Sequence, residues 1–158
     1  MNNKGGHPDT AHVKITKNYI LKTYNKESHR AYVNELHYYI LAKKKKLNYI
    51  PELIDYDPIK LTLKIKNVGV ALDEYCSTKE LDIDTFLPKI KNIYNKFLSL
   101  GYYHNDLRYK NIIINPISKK LYLIDFEYTD IKYADNDDQN IVKKISGNKG
   151  KKTIKKWF

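Results

Sequence analysis

Tyr103-His104-Asn105-Asp106-Leu107-Arg108-Tyr109-Lys110-Asn111-Ile112-Ile113-Ile114, followed by Leu121-Tyr122-Leu123-Ile124-Asp125-Phe126-Glu127, is the stretch whose reading decides the fold. It reads as a polar loop, an apolar strand, a turn at Asn115-Pro116, a second apolar strand and an acidic residue at that strand's end. Two apolar runs around a proline turn predict a hairpin. Such a hairpin delivers Asp106, Asn111 and Asp125 to one end. Two carboxylates and an amide at one place suit a hard divalent cation held together with a phosphate. Packing does not explain the set.

Upstream, Phe86, Ile90, Ile93, Tyr94, Phe97 and Leu98 recur at helical spacing, which predicts a helix beginning at Asp84. Pro88 is tolerable in its first turn and Gly101 is a good stop. This helix feeds directly into the His104 loop. Further back, Ala11–Thr16 alternates, Lys17-Asn18 can turn, and Tyr19–Tyr24 is a second strand carrying Lys22. Ser28 can cap a helix whose apolar stripe is Ala31, Tyr32, Leu36, Tyr39 and Ile40, with Glu35 at the edge. A carboxylate at the edge of an apolar face is best explained by a cation meeting it there, and Lys22 is the candidate. Ile50–Tyr56 and Leu61–Ile65 read as two more strands, turned at Asp57-Pro58. Asn67-Val68-Gly69 breaks the pattern and reads as a linker between a sheet-rich front half and a helical back half. After Glu127 come the acidic residues Asp130, Asp135, Asp137 and Asp138, a short helix over Ile141–Ile145, and a basic tail ending in Trp157-Phe158.

With 158 residues the chain is one domain by length, and 42% hydrophobic residues, including 15 Tyr, suffice for a core. A single cysteine, Cys76, excludes an internal disulfide and agrees with a reducing compartment, with the thiol structural. No leader-like apolar run begins the chain, and no stretch approaches the ~18 apolar residues of a membrane span. We therefore expect a soluble, cytoplasmic protein. The formal charge of +11 is uneven: Lys43–Lys46 form one run, and residues 141–158 carry seven lysines and no acid. Such a balance favours acidic partners, nucleic acid among them, although solubility and an AT-rich codon bias explain it equally well.

The residues His104-Asn105-Asp106-Leu107-Arg108-Tyr109-Lys110-Asn111 resemble the catalytic loop of the protein-kinase-like superfamily, H-x-D-x-x-x-x-N. Asp125-Phe126-Glu127 resembles its D-F-G motif with Glu in the last place. Lys22, Glu35, two strands, a hinge and a long helix precede the loop in that superfamily's order, so the resemblance covers roughly Gly5 to Glu127. The resemblance implies an α+β, two-lobed fold. Its first lobe (1–66) would hold a small antiparallel sheet and one helix. A hinge (67–70), a truncated and mainly helical second lobe (71–140) and a basic tail (141–158) would follow, all within one minimal domain.

The same resemblance implies phosphoryl transfer from ATP with Mg²⁺, chemistry that is mostly positioning and charge neutralisation. Asp106 would orient or accept the proton of the attacking hydroxyl, with Arg108 beside the transferred phosphate. Asn111 and Asp125 would hold the metal. Lys22, fixed by Glu35, would neutralise inner phosphates. Gly5 and Gly6 would cover them, and Asn67, Val68 and Val70 would receive adenine. His104 would support the loop rather than act as a base. Three departures bear on this. Gly5-Gly6 leaves room only for a shortened glycine loop. No A-P-E-like segment follows Glu127, and the helices of a peptide-binding lobe do not fit. Glu127 replaces the glycine, and the His104-Asn105-Asp106 loop together with Ile124-Asp125-Phe126-Glu127-Tyr128 is similar to choline and ethanolamine kinases and aminoglycoside phosphotransferases, whereas the size and the basic tail are closer to small atypical kinases.

The leading expectation is a minimal serine/threonine protein kinase whose substrate or activator is another protein. The alternatives are a small-molecule kinase, and an ATP-binding module without transfer activity. Contact of the basic tail and Trp157-Phe158 with nucleic acid is a further expectation.

Overall fold

Strand β1 (Ala11–Ile15) and strand β2 (Tyr19–Tyr24) form a hairpin because Thr16 closes its turn. The Thr16 hydroxyl donates to the Tyr19 carbonyl at 2.8 Å and accepts the Tyr19 N–H at 3.0 Å. This hairpin opens the chain in a computed structural model that describes residues 10–133 and 140–146. The readings made on Gly5, Gly6, Asp135, Asp137, Asp138 and the tail beyond Ser146 lie outside the described residues. The chain divides into two compact units, Met1–Val68 and Gly69–Phe158, which are taken in turn.

In the first unit a short 3₁₀ turn, Lys26–Ser28, leads into helix α1 (His29–Lys45). The helix ends where Lys46 takes a left-handed conformation (φ 54°) after three consecutive lysines, the charge favoured at a C-terminus. Strand β3 (Leu53–Asp57) and strand β4 (Thr62–Lys66) complete an antiparallel sheet of order β1-β2-β4-β3. The expected strand from Ile50 starts only at Leu53. Pro51, which has no N–H for the ladder, lies just before it. At the turn, the Asp57 carboxylate accepts the N–H groups of Ile59 and Lys60 at 2.8 and 3.0 Å, which holds its pKa low.

The buried side of α1 is Tyr32, Glu35, Tyr38, Tyr39 and Ala42. The helix is thus rotated relative to the expected stripe, and Ile40 remains 44% exposed. The cause is polar: Glu35, expected at the edge, is turned fully inside, where the sheet supplies its donors.

In the second unit, Gly69 passes so close to the hairpin that a Cβ would stand 2.0 Å from the Ile114 carbonyl oxygen, and only glycine fits. Strand β5 (Val70–Ala71) follows at once and runs straight into helix α2 (Leu72–Lys79). This helix was not anticipated. Its buried residues Leu72, Tyr75 and Cys76 keep helical spacing, with Asp73 and Glu74 in the first turn and Lys79 in the last. Cys76 is 3% exposed, and burial, with Asp73 and Asp82 nearby, pushes its thiol pKa up.

A 3₁₀ turn, Ile83–Phe86, precedes helix α3 (Leu87–Leu98), which buries Ile90, Ile93, Tyr94, Phe97 and Leu98. Each such side chain stabilises by about 1.5–3 kcal/mol relative to exposure. Gly101, at φ 90°, ends the run by donating its N–H to the Leu98 carbonyl. Strands β6 (Ile112–Ile114) and β7 (Leu121–Leu123) form the anticipated hairpin, and β5 adds to give the order β5-β6-β7. The last described element is helix α4 (Asn140–Ser146). Among the described residues, no helix is long and apolar enough to cross a membrane.

Candidate functional site

The first unit holds a buried ion pair. Lys22 lies on β2 opposite Val13 on one side and Leu63 on the other, so its strand is interior to the sheet. Its Nζ is 2.6 Å from Glu35 Oε2, with side-chain exposures of 9% and 1%. Tyr24, two residues along and therefore on the same sheet face, donates its hydroxyl to the same oxygen. The Lys22 ammonium also lies 5.5 Å from the centre of the Tyr24 ring. Tyr24 was not singled out in the sequence; the period-two step from Lys22 was the available signal.

The second unit holds the loop from Tyr103 to Asn111. Asn111, in a 3₁₀ turn (Tyr109–Asn111), donates its Nδ2 to both the Asp106 carbonyl and Asp106 Oδ2 at 2.9 Å. Those two bonds turn the Asn111 Oδ1, the atom suited to a metal, away from Asp106. Arg108 Nε stands 2.6 Å from the other Asp106 oxygen, Oδ1. Asp106 is 6% exposed, so both its oxygens are held in a nearly dry place.

His104 is fully buried and both its ring nitrogens are used. Nε2 faces the Ile124 carbonyl at 2.8 Å, so that nitrogen carries the proton. Nδ1 then accepts the Asp106 N–H at 3.3 Å. Burial holds the His104 pKa below its usual 6.5, because the charged ring would lie away from water. The unfolded chain therefore takes up a proton at higher pH than the folded one. The resulting stability is fully present above pH 6.5 and lost as pH falls toward the depressed value. We expect the second unit to lose up to about 1.4 kcal/mol per pH unit below that point in urea unfolding. His104→Gln, which can donate but not titrate, should flatten this slope.

Asp125 adopts φ 67°, a left-handed conformation unusual for a residue with a side chain. It is anchored from both sides. The Ile124 N–H donates to the Asn111 carbonyl at 3.1 Å, and Phe126 is fully buried with its ring 5.7 Å from Phe97 and 5.3 Å from His104. A carboxylate oxygen of Asp125 and one of Glu127 lie within 4.8 Å of each other. Asn111, Asp125 and Glu127 thus offer only hard oxygen donors, the type that Mg²⁺ and Ca²⁺ take. Glu127 was read as a replacement for glycine and not as a donor; its step of two from Asp125 was the only hint.

The residues expected to receive adenine are placed less simply. Asn67 donates its N–H to the Asn18 carbonyl at 3.0 Å and its Nδ2 to the Thr16 carbonyl at 2.7 Å, both in the first unit. Val70 is paired with Ile114 in the sheet of the second unit.

No family model matches this sequence, and no curated protein matches it. Solved structures do match. The bifunctional kinase-methyltransferase WbdD aligns over 85% of this chain and 33% of its own, with TM-score 0.58 and 15% identity. A structure of monomeric WbdD gives 85%, 35%, 0.59 and 15%, respectively. The complex of WbdD with the kinase inhibitor LY294002 gives 80%, 32%, 0.58 and 16%. The chain spans about a third of the length of these structures. Its fold is therefore a truncated, protein-kinase-like α+β fold.

Proposed function

We propose that the chain is an ATP- and Mg²⁺-dependent phosphotransferase acting on serine or threonine hydroxyls of a protein. The observation that carries this reading is the second unit's loop, where Asn111 and Arg108 between them hold both oxygens of a buried Asp106. A carboxylate kept oriented this way is equipped to take up the proton of an attacking hydroxyl. Arg108, the most exposed member of the group, is suited to a phosphate once drawn from Asp106. When bound, Mg²⁺ would spread the charge of the transferring phosphate, and Asn111 and Asp125, with Glu127, would hold it. In the first unit, Lys22 carries a positive charge fixed by Glu35 and Tyr24, which fits a phosphate partner better than a solvated lysine would. Val68 and its neighbours Asn67 and Val70 would meet adenine, and Gly5-Gly6 the phosphates. Its partner would be a protein, either the substrate or an activator.

The test is transfer of labelled phosphate from ATP with Mg²⁺ to generic protein substrates, followed by identification of phosphoserine or phosphothreonine. Asp125→Asn should reduce the rate by about 10²–10³-fold. A rate unchanged by that substitution removes Asp125 from the metal site. The paired carboxylates Asp125 and Glu127 favour a second reading, a small-molecule kinase. Stimulation of ATP turnover by choline, ethanolamine or an aminoglycoside, without protein labelling, would select it. Stabilisation by ATP and Mg²⁺ with no turnover would leave a binding module.

A further inference from the structure

The structure assigns Asn105 as a positioning residue that keeps the segment after Asp125 assembled without any covalent modification. The inference rests on the phosphotransferase reading for its consequence, though not for its geometry. Residues 124–133 form no strand or helix, so their carbonyls have no regular ladder to satisfy them. Three consecutive residues before Asp106 supply partners instead. Tyr103 exchanges two main-chain bonds with Asp130, at 2.7 and 3.0 Å. The His104 carbonyl accepts the Thr129 hydroxyl at 3.3 Å. Asn105 Nδ2 then donates to the carbonyls of Tyr128 at 3.1 Å and Lys132 at 2.9 Å.

The partners run antiparallel, 103 against 130, 104 against 129 and 105 against 128, so side chains extend the one main-chain bridge into a short zipper. On the other flank, Ile124 is fixed by His104 Nε2 and by the Asn111 carbonyl. Asp125 and Glu127 therefore sit on a three-residue span held at both ends. Asn105 is itself 3% exposed and adopts φ 63°, a left-handed conformation that Asn tolerates better than most residues. A segment ordered by phosphorylation needs an added charge and a cation to meet it. Here a neutral amide does the ordering, and Thr129 at 3% exposure is shielded from modification.

The experiment compares the wild-type chain, Asn105→Asp and Thr129→Val by amide hydrogen exchange and by transfer rate against Mg²⁺ concentration. Asp keeps the size and the backbone conformation but has no N–H to donate. Loss of two hydrogen bonds should speed exchange across 128–132 by at least about 10-fold, leaving 112–114 and 121–123 protected. Thr129→Val, which loses one bond and is the milder variant, should show a smaller change in the same segment. The Mg²⁺ concentration for half-maximal rate should rise about 10-fold in Asn105→Asp, with much of the rate recovered at saturating Mg²⁺. Phosphatase treatment of the wild-type chain should alter neither exchange nor rate.

Unchanged exchange in Asn105→Asp overturns the inference. So does loss of protection after phosphatase, or lost protection with an unaltered Mg²⁺ dependence. If the wild-type chain transfers no phosphate, the phosphotransferase reading fails, and the exchange measurement still decides whether Asn105 is the clamp.

Discussion

Replacing Asp106 by Asn is expected to slow phosphate transfer by about 10²–10⁴-fold, the contribution typical of a positioned general base. The effect should be on turnover and not on folding. Asn has the volume of Asp, and its carbonyl oxygen can still accept from Asn111 Nδ2, which now lies 2.9 Å from Oδ2. What changes is the other side, where an amide N–H₂ would face Arg108 Nε across the 2.6 Å now occupied by an ion pair. Arg108 is 35% exposed in its side chain and can turn to water, so that repulsion is relieved cheaply. Initial rates and thermal unfolding, measured on the same preparation, separate the two effects. A variant that keeps wild-type turnover takes the proton-accepting role away from Asp106. One that unfolds shows that the residue is structural first.

The second large effect concerns stability. Lys22→Met should cost about 3–5 kcal/mol, the penalty for leaving one partner of a buried ion pair behind. Glu35 is fully buried, and Tyr24 would still donate to it from the sheet once the ammonium is gone. In urea the first unit should therefore unfold at much lower denaturant. Replacing the whole set, Lys22→Met with Tyr24→Phe and Glu35→Leu, should recover most of that loss, because a well-packed apolar group avoids the cost of burying charge. Recovery of stability without recovery of transfer would show that Lys22 is kept for phosphate. Recovery of both would take Lys22 out of phosphate transfer.

Much of this was legible beforehand where the signals are local. The β6–β7 hairpin follows from two short apolar runs around Asn115-Pro116 and α3 from helical spacing, and the expected placing of Asp106, Asn111 and Asp125 follows from the hairpin. The motif in the sequence resembles the superfamily whose fold the solved structures share with this chain.

What was hidden has two physical causes. The rotation of α1, which buries Glu35 and exposes Ile40, is decided by donors on another element, Lys22 and Tyr24, and no pattern within the helix contains it. The partners of Asn105 are 23 and 27 residues away in a segment with no periodicity at all. Helix α2 is different. Its Leu72, Tyr75 and Cys76 spacing and flanking charges were present, but eight residues starting directly from a strand leave little room for a start signal.

The shielded thiol of Cys76 has a practical consequence for labelling this molecule. It is the chain's one cysteine, it is 3% exposed, and its surroundings keep it protonated. Thiol reagents attack the thiolate, so this sulfur should react slowly. A cysteine introduced at an exposed position, such as Ile117 at the tip of the β6–β7 turn, would then be the fast-reacting site. A fluorophore or spin label can be attached there with the native sulfur left in the core that it fills.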